Sequence, residues 1–220
     1  FLLFLIGCFN GAFFPGDILV LYAIVGVILP LVCKWSDKAV LITAILLMLQ
    51  PVEWAKFLYA LNNPDYVAAP GQWLVHHRNM YPFLGQTDFW AMVKSNLWDG
   101  QLFSLLWGWG HGRFFQTASL FLIGMLIGRR QFFVDLSGHR KFWLRTLLIS
   151  AVCFIPLYYF TEALPDLFTN KSMLSPLNTI FSSFRNFAFM CVLVAVFVFL
   201  WQQVSGHKVL HGLVPYGKMS

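Results

Sequence analysis

Residues 112–133 read GRFFQTASLFLIGMLIGRRQFF, and from Thr117 to Gly128 no side chain is ionisable. With Phe114 and Phe115 in front of it, the run is about long enough to cross a bilayer as a helix rising roughly 1.5 Å per residue. Arg113 and Gln116 stand at one border of this apolar core, Arg129 and Arg130 at the other. Backbone in lipid must satisfy its own hydrogen bonds, so a run of this kind demands a helix in a membrane before it permits anything else.

The rest of the chain follows the same rule. Its 220 residues are 59% hydrophobic and only 11% charged, with a mean hydropathy of +0.68, whereas a soluble domain carries about a quarter charged residues. An all-α, polytopic transmembrane helical bundle is expected, a single integral membrane domain over residues 1–220 whose first partner is the lipid bilayer. Crossings of about 20 residues leave room for about six spans plus the start of a further one. They fall near residues 2–14, 17–33, 38–61, 113–128, 142–160 and 182–202.

Pro15-Gly16 separates the first two spans and leaves Asp17 at a helix N-terminus. Pro51 is placed to kink the third span. The far half of that span, PVEWAKFLYAL, carries Glu53 and Lys56 and reads as interfacial. Residues 62–100 form one long outer loop, holding Pro64, Pro70, Pro82, the acids Asp65, Asp88 and Asp99, and the pair His76-His77. A short amphipathic helix is expected in it around DFWAMVKSNLW. LFSLLWGWGHG, next, reads either as re-entrant or as an extension of the following span. TEALPDLFTNKSMLS is expected to be a further loop. Because the chain opens inside an apolar segment and stops at LVPYGKMS as another begins, it reads as an excerpt of a longer membrane protein.

Lysine and arginine set the orientation, since short loops retain positive charge on the cytoplasmic side. Placing the loops near 34–38, 129–145 and 203–212 inside collects Lys34, Lys38, Arg129, Arg130, Arg140, Lys141, Arg145 and Lys208 there. The opposite side then holds Arg78, Lys94 and Lys171. The net charge of +6 needs no nucleic acid, because these residues sit dispersed at helix ends. Cys8, Cys33, Cys153 and Cys191 are isolated, so neither a zinc site nor a redox motif is expected and no metal is assigned. A phosphate loop, a nucleophile elbow and a zincin motif are likewise missing from the sequence.

What remains is a set of polar residues that a bilayer penalises by about 2.5 to 3.5 kcal/mol per charge at its centre. Asp17, Arg113, Gln116, Arg185 and Asn186 lie at the outer ends of spans in this orientation and are expected to line one polar pocket, with Asn10 nearby. Arg185 has two readings. A helix starting at Pro176 puts it near mid-bilayer, where it needs a counter-charge such as Asp17; a helix starting near Ser182 lets it snorkel to the interface. His77 and His111, both on the outer side, are candidate general bases, because imidazole titrates near neutral pH. Both also fit an ordinary solvated loop.

The stretches FFPGDILVLYAIVGVILPL and SDKAVL, then FFQTASLFLIGMLIGRRQFF, then LVPYGKMS resemble successive signatures of the YeiB family, integral proteins of the bacterial inner membrane grouped as domain of unknown function 418. Gly16 to Ala23 and Phe121 to Arg129 carry the most specific part of the likeness. The family's usual amino-terminal portion, with its Leu-Asp-x-x-Arg-Gly motif, has no counterpart here. The resemblance implies a fold similar to that of transmembrane acyltransferases, which move an acyl group from a cytoplasmic thioester to a sugar or other small acceptor on the far side. Acyl coenzyme A is then the implied co-substrate, and Arg129, Arg130, Arg140 and Lys141 are candidate partners for its phosphates. The positive-inside rule accounts for the same four residues without a ligand. A small-molecule transporter and a non-catalytic membrane partner stand as alternatives, and the sequence assigns no oligomeric state.

Overall fold

Proline, glycine and short polar turns cut an otherwise apolar chain into helices. In the computed structural model, which describes residues 1–85, 88–136 and 138–204, these are α1 (Leu2–Phe13), α2 (Leu19–Gly26), α3 (Ile28–Val32), α4 (Asp37–Met48), α5 (Pro51–Asn62), α6 (Trp73–Met80), α7 (Phe89–Ser95), α8 (Gln101–Gly110), α9 (Arg113–Arg129), α10 (Arg140–Leu167) and α11 (Lys171–Val204). A short 3₁₀ turn, Tyr81–Phe83, follows α6, and a π-helical turn, Asn96–Gly100, joins α7 to α8. No strand occurs among the described residues.

Among the described residues, three helical stretches are long and apolar enough to cross a membrane: Asp37–Asn62, Arg140–Leu167 and Lys171–Gln202. Leu2–Phe13 and Leu19–Val32 are apolar but shorter, and α9 has 17 residues. Many large apolar side chains point outward, among them Leu2, Phe9, Leu31, Val152 and Tyr159, each at least 69% exposed. Helices apolar on their outer as well as their inner faces are compatible with a lipid environment.

Local chemistry explains several boundaries. Ser36 Oγ accepts a hydrogen bond from Ala39 N at the start of α4, and Asp88 Oδ1 accepts from Ala91 N at the start of α7. Both are N-caps that satisfy amides lacking a helical partner. Two expected loops prove largely helical. The connection 62–100 contains α6, the 3₁₀ and π turns, and α7 where a short amphipathic helix was expected, and the stretch 161–175 is helical except for residues 168–170. Pro156 and Pro165 lie inside α10 and Pro176 inside α11, where proline removes a donor yet the helix carries on. The apolar LFSLLWGWG stretch is helical as part of α8, which leads into α9 across His111-Gly112. The expected inner loop at 203–212 falls largely on residues outside the described ones.

The chain divides into two compact units. The first comprises Phe1–Leu126 with Phe168–Ile180. Here α1 and α2 pack as a hairpin, close enough at Gly7 that an added Cβ would lie 2.9 Å from Val20 N. Leu21, Val25 and Ala118 form one buried cluster, and Val32, Val40, Ala44 and Leu122 another. Ser119, fully buried, donates from Oγ to Ala44 O at 2.7 Å and ties α9 to α4. The second unit comprises Ile127–Leu167 with Phe181–Ser220. Its core holds Trp143, Ala195 and Val198, and Trp143 Nε1 donates to Phe132 O at 3.2 Å.

Candidate functional site

Residues Phe89 to Gly110 run helically through α7, the π turn and α8. Within the turn Gln101 N donates to Asn96 O, five residues back. Such π turns insert a residue into a helix and re-aim the side chains around it, which is why they are frequent at functional sites. The re-aimed segment presents two polar faces.

One face meets the α1–α2 hairpin. Asn96 Nδ2 donates to Ala12 O at 3.0 Å, Gln101 Nε2 to Gly7 O at 3.4 Å, and Ser104 Oγ to Asp17 O at 2.7 Å. Small residues permit the approach: a Cβ on Gly11 would collide with the Gln101 amide, and one on Gly100 would lie 2.8 Å from Pro15 Cβ.

The other face meets α6. His76 Nδ1 and Asp99 Oδ1 lie 2.8 Å apart, and Asn79 Nδ2 donates to the same carboxylate oxygen at 3.3 Å. The His76 and Asp99 side chains are 23% and 20% exposed. Around them an aromatic wall forms, with Trp73 and His77 packing on Phe103 at ring separations of 6.1 and 5.2 Å. A proton on Nδ1, pointing at the carboxylate, leaves Nε2 as a hydrogen-bond acceptor. A carboxylate that fixes the tautomer of an imidazole is the arrangement a general base requires.

The two histidines singled out from the sequence are placed differently. His77 lies half-buried between the rings of Phe103 and Tyr81. His111 stacks on Trp107 at 4.3 Å, with its Nδ1 2.8 Å from Trp107 O. Neither faces a carboxylate among the described residues. The neighbouring His76 is the one that faces a carboxylate, that of Asp99, 23 residues away. Adjacent histidines are indistinguishable by type; the signal available in the sequence was Asp99, directly after the aromatic amphipathic stretch DFWAMVKSNLW.

Of the expected polar pocket, Arg113 and Gln116 come together, with Arg113 Nη1 donating to Gln116 Oε1 at 3.2 Å. The Arg113 guanidinium also lies 5.9 Å from the centre of the Trp107 ring. Asp17 is buried, and its Oδ1 accepts from Leu19 N at 3.2 Å, the helix-start role expected of it. It makes no ion pair with Arg113. Arg185 and Asn186 belong to the second unit, where α11 begins at Lys171, earlier than either sequence reading supposed. There Arg185 Nη1 donates to Thr161 Oγ1 at 3.3 Å and lies 3.7 Å from Glu162, so its acidic neighbour is Glu162 from α10. Asn186 is half-buried beside it. Arg129, Arg130, Arg140 and Lys141 are all exposed. Arg140 and Lys141 open α10, an end at which the helix dipole does not favour cations.

Two further polar features escaped the sequence reading. Glu53 is only 3% exposed and pairs with the more exposed Lys56 at 2.6 Å, so this part of α5 is buried on one side rather than wholly interfacial. Gln50 breaks the helix before α5 with φ of 56°, and its Nε2 donates to Gly112 O at 2.9 Å. No group of three or more His, Cys, Asp or Glu side chains able to hold a metal ion occurs among the described residues.

No curated protein and no solved structure matches the chain. Residues 127–220 match a family model described as Protein of unknown function (DUF418). The helices that carry His76 and Asp99 lie before the matched residues. The matched stretch makes up less than half of the chain.

Proposed function

We propose that this chain is a YeiB-type protein of the bacterial inner membrane that transfers an acyl group from a cytoplasmic thioester, acyl coenzyme A, to a small hydroxyl acceptor such as a sugar on the opposite side. The observation that carries the reading is the 2.8 Å pair of His76 Nδ1 and Asp99 Oδ1. In this reaction His76 Nε2 takes the acceptor's hydroxyl proton as its oxygen attacks the thioester carbonyl. The thiolate leaves and takes that proton back. Asp99 holds the imidazole in the required tautomer and offsets its charge while the proton is on it. Loops near 34–38 and 129–145 face the cytoplasm in this picture, which puts the dyad on the outer side. Arg129, Arg130, Arg140 and Lys141 serve there as topology determinants, or as contacts for the donor's phosphates.

One observation favours a permease instead. Gln50 and Gly112 interrupt two apolar helical stretches and meet at their breaks, and broken helices line substrate paths in many transporters. Proteoliposomes containing the whole protein, supplied with radiolabelled acetyl coenzyme A and mixed sugar acceptors, separate the two. Transfer that disappears in His76→Ala and persists in His77→Ala supports the enzyme. Acceptor accumulation without acylation supports the permease.

A further inference from the structure

Among the described acids, two are buried. Glu53 has the Lys56 ammonium beside it. Asp17, 7% exposed, has no cationic partner. The start of α2 supplies Leu19 N to its Oδ1, but its Oδ2 is buried with no hydrogen-bond partner. Leaving a carboxylate uncompensated in a low-dielectric interior is costly, so such a site calls for a positive charge.

The surroundings supply more oxygen. Asn96 Oδ1, Gln101 Oε1 and Ser95 Oγ are also buried without a partner, and Asn96 itself is fully buried. Asp17, Asn96 and Gln101 belong to one seam, and Ser95 adjoins Asn96 in the chain. Ser104 bonds the backbone of Asp17, Gln101 bonds Gly7 and Asn96 bonds Ala12, so the start of α8 and the π turn are pinned to both arms of the α1–α2 hairpin around its Pro15–Asp17 apex. Gln101 follows Asn96 by five residues, the repeat of the π hydrogen bond between them, which stacks the two amides along that seam.

We infer that Asp17, Asn96, Gln101 and Ser95 form a binding site for a monovalent alkali cation. One carboxylate balances one positive charge, and neutral amide and hydroxyl oxygens complete a hard, all-oxygen ligand set. A divalent ion would leave net charge buried. The site has other partners than the His76–Asp99 pair, since it lies where this helical segment meets the α1–α2 hairpin and not α6, and it does not depend on the acyltransferase reading.

The whole protein in detergent, stripped of alkali metals into choline chloride, tests it. Unfolding midpoints are measured against added NaCl, KCl or choline chloride at constant ionic strength, with uptake of radioactive sodium or rubidium as a second readout. The expected result is a saturable rise in the midpoint with NaCl or KCl, and close to one ion bound per chain. Asp17→Asn should lose both effects while being at least as stable as the wild type in choline. Gln101→Leu, which changes no charge, should raise the half-saturating salt concentration at least tenfold. Midpoints that do not distinguish the three salts, or ion binding that survives in Asp17→Asn, would overturn the proposal.

Discussion

Gln50 and Gly112, 62 positions apart, are both in the left-handed backbone region, with φ of 56° and 66°, and the Gln50 side-chain amide donates to the Gly112 carbonyl at 2.9 Å. The break between α4 and α5 is thereby latched to the break between α8 and α9. Glycine is required at the second position, because positive φ strains other residues and a Cβ there would lie 2.6 Å from Gln50 Oε1. Gly112→Ala is expected to cost about 1–3 kcal/mol. Gln50→Leu, which removes one of two donors to the buried Gly112 carbonyl and leaves Gln116 N at 3.1 Å as the other, should cost about 0.5–1.5 kcal/mol. Unfolding titrations in mixed micelles measure both, and a cost near zero for either would show that the latch is not what holds the two breaks.

The dyad makes a sharper demand on Asp99. Asp99→Asn keeps the shape but can present an amide donor to His76, favouring the tautomer with the proton on Nε2. Acyl transfer should fall about 10²–10⁴-fold, as when a general base is lost. His111→Ala, which removes a ring stacked on Trp107, should stay within about threefold of wild type, below the range expected of a lost base. Steady-state rates on the reconstituted protein decide this, and equal losses in the two variants would remove the dyad from the mechanism.

Much of the frame was legible in the sequence and the reasons are local. Arg113 and Arg129 bound α9 because charge is excluded from the apolar run between them, and Pro15-Gly16 ends the first helix of a hairpin whose second begins two residues after Asp17. What stayed hidden depends on contacts between distant segments. No property of His76 separates it from His77 until α6 packs on the π turn. Inside residues 62–100, α7 falls where a short amphipathic helix was expected, whereas α6 was hard to see because it is short and its polar residues His76 and Asn79 pair within the protein. The expected loop at 161–175 is helical across Pro165, where α10 forgoes one backbone hydrogen bond and still continues to Leu167.

Packing of the hairpin rests on Gly7. A side chain there would press on both the backbone nitrogen and a methyl of Val20 at 2.9 Å, and backbone cannot step aside as a flexible side chain can. Gly7→Val is expected to destabilise the protein by about 1–3 kcal/mol, the usual cost of overpacking. Gly124, where nothing lies within reach of an added Cβ, provides the control: Gly124→Ala should be neutral or stabilising in the same unfolding assay.

Arg185 and Glu162 should contribute little as a pair. Their separation is 3.7 Å and the Glu162 side chain is 63% exposed, so Glu162→Gln is expected to change stability by less than about 0.5 kcal/mol. Thermal unfolding in low salt measures it. A loss several times larger would mean that Arg185 relies on Glu162 for charge compensation within the bilayer.

Orientation can be read chemically. Val67 is 84% exposed and Lys34 is also exposed, so cysteines placed there in a background lacking the four native ones should label from opposite sides. Val67→Cys is expected to react with an impermeant maleimide in intact cells, and Lys34→Cys only after lysis. The reverse pattern would invert the proposed topology.

The π turn at Asn96–Gly100 makes the protein sensitive to a kind of change that substitution scanning never samples. Removing a single residue from that turn would restore ordinary helical winding and rotate α8 by roughly 100° relative to α7. His76, Asp99, Asn96, Gln101 and Asp17 could all survive such a deletion, yet the one-residue frame that aims Asp99 at α6 and the two amides at α1 would be gone. For a chain built this way, the spacing between residues is inherited information as much as their identity.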